Sequence, residues 1–423
     1  MRGPAPAPPA PGAPGSGERL AAPGAPPPAG TIPLSVPEMR GNEWAYVKEC
    51  LDTNWVSSVG AFVDRFERAV ADAVGARHAV ATVNGTAALH VSLLLAGVEP
   101  DDEVLTSTLT FIAPANAIRY VGAWPVFVDA EPEHWQMNVG DVARFLERGC
   151  RREAGGGVLR NIATGRRVRA IVPVHVLGHP VDVAPLVELA RRHELVVIED
   201  ATESLGASYR GERVGRFGAT ACFSFNGNKL ITTGGGGMLV TNDDDLARRA
   251  RHLTTQAKAD PIEYVHDVVG YNYRLTNVLA AIGVAQMEHL DEYVEAKRRI
   301  AARYAEGLAD VPGLGLMREA PWARSAFWMY TVLVSERELG MSSRELLRAL
   351  AARRVQCRPL WQPLHLSPAH RGARCATEGG CPVAERLNRE ALSLPCSVGL
   401  GEEDQAWVIE QIRALAARGG GGR

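Results

Sequence analysis

A chain of 423 residues, 46% hydrophobic and 22% charged, has the material for a large core, which excludes disorder as a description of the whole. A formal net charge of −2 with no block of like charges gives no footprint for nucleic acid. No apolar run reaches the ~18–20 residues of a membrane span, and the amino terminus lacks the apolar stretch of a secretory signal, so the expectation is a cytoplasmic protein with neither nucleic acid nor membrane as partner.

Residues 1–30 hold ten of the 27 prolines and almost no large apolar groups, and read as a disordered tail. The fold is expected to begin at "IPLSVPEM". "AVATVN" then reads as a strand, "GTAALHVSLLLAGV" as a helix, "EVLTS" as a strand and "TFIAPANAIRYVGA" as a helix. "WPVFVDA" and "RAIVPVHV" are strands, "DVAPLVELARRHE" is an amphipathic helix, and "LVVIED" is a strand ending in Asp200. "TACFSF" and "GGMLVTN" follow as further strands. Strands alternating with helices predict βαβ units and a mostly parallel sheet covered on both faces. Continuously apolar strand interiors such as 195–198 agree. After about residue 285 a long helix, "EHLDEYVEAKRRIAARYAEGL", carries Glu–Lys and Glu–Arg pairs expected on its exposed face. Beyond it lie a strand "YTVLVS", a helix "SRELLRALAARRV" and a loop-rich stretch. The expected division is 1–30 tail, 31–285 large domain, 286–416 small α/β domain and 417–423 flexible tail.

The seven cysteines are scattered and odd in number, which speaks against a disulfide framework. Cys375 and Cys381 are the pair that could bind metal. No second Cys/His pair at zinc spacing accompanies them, so they read as free thiols and no metal is expected.

"CFSFNGNKLITTGGGGMLV" places Lys229 ahead of four glycines, Gly234–Gly237. A nucleotide phosphate loop needs its glycines before the lysine and a Ser or Thr after it. Here the order is reversed and Leu230 follows. A lysine that forms a Schiff base with a carbonyl cofactor is the other reading, set against an ordinary solvated lysine. On that reading the glycines let the backbone pass close to a bulky cofactor or a neighbouring subunit. Asn84-Gly85-Thr86 stands where a strand gives way to a helix, and reads either as an anion site or as a helix cap. Asp200 ends a buried strand and would suit a metal, a protonated pyridine nitrogen or a cap. Ser224 and Lys229 would lie on opposite faces of a continuous strand, unless the loop at 226–228 brings both to one ligand. Phe111 could stack on a flat ring or lie in the core. The joint order of anion site, aromatic, carboxylate, hydroxyl, lysine and glycines is what pyridoxal 5'-phosphate (PLP) requires.

Six stretches carry a family resemblance: "NGTAALH", "TFIAPANAI", "PVHVLGHP", "VIEDATESLG", "FSFNGNKLITTGGGG" and "GYNYRLTNVLAAIG". Together they resemble the DegT/DnrJ/StrS family of PLP-dependent sugar aminotransferases over about residues 33–400. The resemblance implies an α/β aspartate-aminotransferase-like PLP fold of type I, with a large mostly parallel sheet domain, a small C-terminal α/β domain and a homodimer with shared sites. It implies Lys229 as the lysine bonded to the cofactor and as proton shuttle, and Asp200 as partner of the pyridine nitrogen. Glu203 stands where many members have Gln or His near the cofactor's 3-hydroxyl. Phe111 matches the stacking aromatic, Gly85, Thr86 and Ser224 the phosphate-binding positions, and Asn272 an asparagine reaching the phosphate from the partner subunit.

The wording of "LTFIAPANAIRYVGA", "FNGNKLITTGGGG" and "RHLTTQAK" looks most like a LegC-like branch. That implies amination of a UDP-linked 2-acetamido-4-keto-6-deoxyhexose with L-glutamate as donor. His175, His179, Arg358, Trp361 and His365 are candidates for the sugar-nucleotide pocket. Two other readings stand beside this one: a keto-sugar dehydratase or isomerase, in which histidine replaces the lysine, and a non-catalytic regulator on the same fold. A dinucleotide-binding dehydrogenase lacks its Gly-x-Gly-x-x-Gly signature at "VNGTAA".

Overall fold

The computed structural model describes residues 30–420 apart from positions 156 and 261. The proline-rich segment 1–29 and residues 421–423 lie outside the described residues, and the expectations about them stay untested.

Seven strands with buried interiors build the central sheet: β1 (His78–Thr82), β2 (Glu103–Ser107), β3 (Trp124–Val128), β4 (Val168–Val172), β5 (Val196–Asp200), β6 (Thr220–Ser224) and β7 (Gly237–Thr241). Their spatial order is β1-β7-β6-β5-β4-β2-β3, and a two-residue strand, Arg374–Cys375, adds to the β3 edge. Every neighbour pair is parallel except those of β7, which runs antiparallel to β1 and β6. The apolar runs read as doubly buried strands are therefore sheet strands with helices on either side.

The helix Gly85–Leu95 is buried nearly all round and begins at the carboxyl end of β1. The helix Leu290–Gly307 buries Tyr293, Lys297, Ile300 and Tyr304 along one stripe at helical spacing. Its charges differ from expectation. Glu295 pairs with Arg324, Arg298 with Glu319 and Arg303 with Glu402, so these ion pairs tie the helix to other segments rather than running along its surface. Lys297 is not exposed; it donates to the backbone oxygens of Trp328 and Cys396.

Beyond residue 285, a four-stranded antiparallel sheet orders Leu314–Leu316, Tyr330–Val334, Ala391–Leu394 and Arg358–Pro359. The boundary expected near 285 is crossed twice. Arg374–Cys375 returns to the large sheet, and residues 32–36, expected in the large domain, are held by the C-terminal part. Ile32 exchanges backbone bonds with Arg354 and Gln356, Leu34 accepts from the Cys396 amide, and the Val36 amide donates to Ser397 Oγ. Unpaired backbone at the segment's start finds its acceptors there rather than at the large sheet. The last helix, Glu402–Gly420, runs past residue 416, where a flexible tail was expected. All seven cysteines are free. No helix among the described residues is long and apolar enough to cross a membrane.

Candidate active site

One edge of the sheet gathers the chemistry. Asn84, Gly85 and Thr86 come soon after β1, β5 ends in Asp200, β6 ends in Ser224, and the reversed β7 begins there at Gly237. Carboxyl ends of parallel strands are where open α/β sheets bind ligands.

Asn84 caps the helix Gly85–Leu95, its side chain accepting the Ala87 amide at 2.8 Å. The amides of Gly85 and Thr86 stand in the first turn, where no intrahelical acceptor exists. A Cβ on Gly85 would lie 3.0 Å from Ser224 Cβ and 3.1 Å from Thr202 Cγ2. Gly85, Ser224 and Thr202 thus form one contact group drawn from three strand ends. Sequence reasoning passed over Thr202, whose one signal is its place two residues after Asp200. The glycine tract also needs correcting. A Cβ on Gly237 would overlap the backbone of Asn84, and one on Gly236 would overlap Thr233 Oγ1. These two glycines accommodate their own chain. Only Gly234, at φ +79°, and Gly235 face open space.

β6 stops at Ser224, and Lys229 sits in the following turn, its amide donating to Asn226 at 2.9 Å. The amine lies 3.6 Å from Glu203 Oε1 and 3.7 Å above the ring centre of Trp328, with the side chain 14% exposed. Trp328, which sequence reasoning missed, is fixed by donating its indole N–H to the Asn228 oxygen at 2.8 Å. Burial holds the Lys229 ammonium below the ordinary lysine value, opposed by the charges of Glu203 and Asp200. Burial pushes both of those carboxyls up, opposed for Asp200 by its bonds from Thr202 and for Glu203 by Lys229. Glu203 Oε2 accepts the Leu177 amide at 2.8 Å. That amide is aimed by a left-handed backbone, φ 60° at Leu177, a conformation a branched residue holds only when its surroundings force it. Here the following residue, Gly178, is pressed against the backbone of 327 and 328.

Asp200 is 1% exposed and accepts the Thr202 amide at 3.1 Å. Among the described residues no cationic side chain lies within 4.0 Å of it. A buried carboxylate lacking a counter-ion, a buried amine and a glycine-bearing helix start with free amides fit the pyridinium, the aldehyde and the phosphate of PLP respectively.

Phe111 is 54% exposed, so it is not a core residue, and it starts the loop leading into the helix Ala113–Tyr120. Asn272 is exposed, and its backbone pairs with Thr255 in an isolated antiparallel bridge. The pocket candidates divide. Trp361 stacks on Trp328 at 6.4 Å and 10°, and so joins the wall behind Lys229. His175 is fully buried, held between Glu199 at 3.2 Å and the Val181 amide at 3.1 Å. Glu199 in turn accepts the amides of Gly215, Phe217 and Gly218, so this pair braces a loop, while the His175 amide donates to the Asp200 backbone oxygen at 3.0 Å. His179 is equally enclosed, between the Pro180 oxygen and the Ala320 amide. Arg358 donates to the oxygen of Cys357, and His365 turns to Thr108 and Glu385.

A family model, the DegT/DnrJ/EryC1/StrS aminotransferase family, matches residues 37–413. The chain belongs to that family. Its aminotransferase activity and its cofactor, PLP, follow from that membership, and the resemblance read from the six stretches is borne out. Among curated family relatives, the GDP-perosamine synthase of Caulobacter vibrioides is 41% identical over 90% of this chain and 97% of its own. The GDP-perosamine synthase of Escherichia coli O157:H7 is 39% identical over 90% and 97%. Among solved structures, Streptomyces venezuelae DesV superposes with a TM-score of 0.79 at 34% identity, covering 89% of this chain and 94% of DesV.

Proposed function

We propose that this aminotransferase moves an amino group from L-glutamate to the keto carbon of a nucleotide-linked 4-keto-6-deoxy sugar, in a site completed by a second copy of the chain. The observation that carries the reading is the Lys229 amine, held between Glu203 and the face of Trp328, with the buried carboxylate of Asp200 near enough for its charge to be felt. PLP, when bound, supplies an electron sink for the carbanion formed on the substrate. Lys229 anchors it and moves a proton at the donor's Cα, a role its depressed basicity suits. Asp200 keeps the proton on the ring nitrogen. Gly85, Thr86 and Ser224 hold the phosphate, Phe111 covers the ring, and Glu203 lies toward the 3-hydroxyl. Trp361 extends the Trp328 wall toward the sugar.

The carrier nucleotide is read differently from the sequence-based expectation of UDP. Two relatives near 40% identity are named for a GDP-linked sugar, which favours guanosine diphosphate. Support for the dimer comes from large apolar side chains left exposed in the single chain: Trp44 and Val59 near the amino terminus, Ile262 and Val269 on the segment leading to Asn272.

The test is a panel of GDP-, UDP- and TDP-linked 4-keto-6-deoxy sugars with glutamate, followed by 2-oxoglutarate release. The GDP-linked compound is expected to show the highest kcat/KM. Lys229→Ala is expected to lower turnover by at least ~10²-fold with an unchanged circular dichroism spectrum. Turnover in that variant close to wild type would reject the lysine's role.

A further inference from the structure

Cys375 and Cys381, six positions apart in the chain and read from sequence as free thiols, are brought together with a third donor that no spacing rule announced. Their sulfurs lie 3.4 Å apart. A ring nitrogen of His365 joins them, so that the three donor atoms all lie within 4.8 Å of one another. Two sulfurs on one tetrahedral zinc, with bonds of about 2.3 Å, stand about 3.8 Å apart, close to this arrangement. A disulfide needs a separation of about 2.05 Å, so these thiols are not bonded.

The donors come from three different pieces of backbone. Cys375 lies on the strand paired with β3, opposite Phe127. Cys381 is fully buried and precedes the helix Pro382–Glu390. The first turn of that helix is itself fixed, the Val383 and Ala384 amides donating to Asp129 at 2.9 Å each. His365 stands in the short turn Leu364–Leu366. Its Nδ1 is 2.8 Å from Thr108 Oγ1 and its Nε2 is 3.2 Å from Glu385 Oε1. Whichever nitrogen binds a metal, the other keeps a hydroxyl or carboxylate partner that fixes the tautomer, as metal-binding imidazoles require. A water can fill the fourth position of a tetrahedral site.

We propose that His365, Cys375 and Cys381 form a binding site for one thiophilic divalent metal ion of the zinc class, separate from the PLP site. Binding deprotonates both thiols and releases two protons. The metal clips the edge strand and the helix Pro382–Glu390 to Thr108, three residues before Phe111, and so steadies the loop that carries Phe111. His365 is thereby assigned to the metal rather than to the sugar pocket.

The test uses the full-length chain with its PLP, exposed to zinc and then dialysed without chelator. Elemental analysis is expected to give about one zinc per chain, with the partly exposed Cys375 protected from N-ethylmaleimide until a chelator is added. Cys375→Ser, at a partly exposed position, and His365→Ala are each expected to drop the zinc content to about a tenth or less, with unchanged circular dichroism spectra. Cys150→Ser should keep it. Zinc content near zero in the wild-type chain, an unchanged content in Cys375→Ser, or a Cys375–Cys381 disulfide in a non-reduced digest would each overturn the proposal. The visible absorbance of bound PLP, read on the same samples, reports on the cofactor site separately.

Discussion

Burial acts in opposite directions on Lys229 and the two carboxylates nearest it: it favours the neutral amine and the neutral acids. Asp200 has no cationic side chain within 4.0 Å among the described residues, only the more distant charge of Lys229, so a protonated ring nitrogen in direct contact would favour its ionised form. Asp200→Asn keeps the size and removes the charge; steady-state kinetics is expected to show kcat down by ~10²–10³-fold, the cost of removing one preorganised electrostatic group. A lesser loss, with PLP retained, would place the pyridine nitrogen elsewhere. His179 shows how a residue picked for its chemistry can turn out to serve packing. The Ala320 amide donates to its Nε2 at 3.0 Å, so the ring is neutral with its proton on Nδ1, facing the Pro180 oxygen. Burial pulls its pKa down to about 4 from 6.5. The unfolded chain therefore takes up this proton at a higher pH than the folded one. The stability it supports is complete above about pH 6.5 and is lost as the pH falls toward 4, by about 3 kcal/mol. Urea midpoints between pH 7 and 4 should fall less steeply in His179→Gln than in wild type.

At the scale of elements, strands were legible because an apolar run buried on both faces leaves a strong one-dimensional signal, as in 195–198. What a glycine or a charge does is not local in that way. Gly237 looked like part of a ligand loop, yet its missing side chain lets the start of β7 lie on the backbone of Asn84. Gly237→Ala should push the first turn of the helix Gly85–Leu95 away from Ser224. The expected result is a destabilisation of about 2–4 kcal/mol and weaker PLP retention on dialysis, measured by thermal unfolding and by absorbance. An alanine variant with wild-type stability would show that the strand end yields freely. Similarly, the charges of the helix Leu290–Gly307 looked like surface pairs. Lys297 instead holds Trp328, the residue beneath Lys229, through its backbone oxygen. Nothing in the spacing of that helix separates a buried lysine from its exposed neighbours.

For the whole molecule, the proposed second copy would cover the exposed Asn272, Trp44, Val59, Ile262 and Val269. If Asn272 serves the partner's phosphate site, Lys229→Ala and Asn272→Asp each inactivate the dimer. Unfolding and refolding an equal mixture should then restore about a quarter of wild-type activity, from mixed dimers with one intact site. No recovery would mean that both residues serve the same chain's site. The sequence alone determined the family and the alternating α/β order, and it singled out the lysine, aspartate and glycine–threonine pair proposed to bear the chemistry, because each is carried by a short stretch whose neighbours are fixed by covalent order. Tertiary structure alone decided that Thr202 joins Gly85 and Ser224, that Trp328 lies under Lys229, that His175 and His179 are enclosed by hydrogen bonds within their own chain, and that His365 meets Cys375 and Cys381. Those contacts join residues from about ten to well over 100 positions apart, or depend on which face a turn presents, and only the folding of the sheet and the packing of the C-terminal segment onto it bring them within reach.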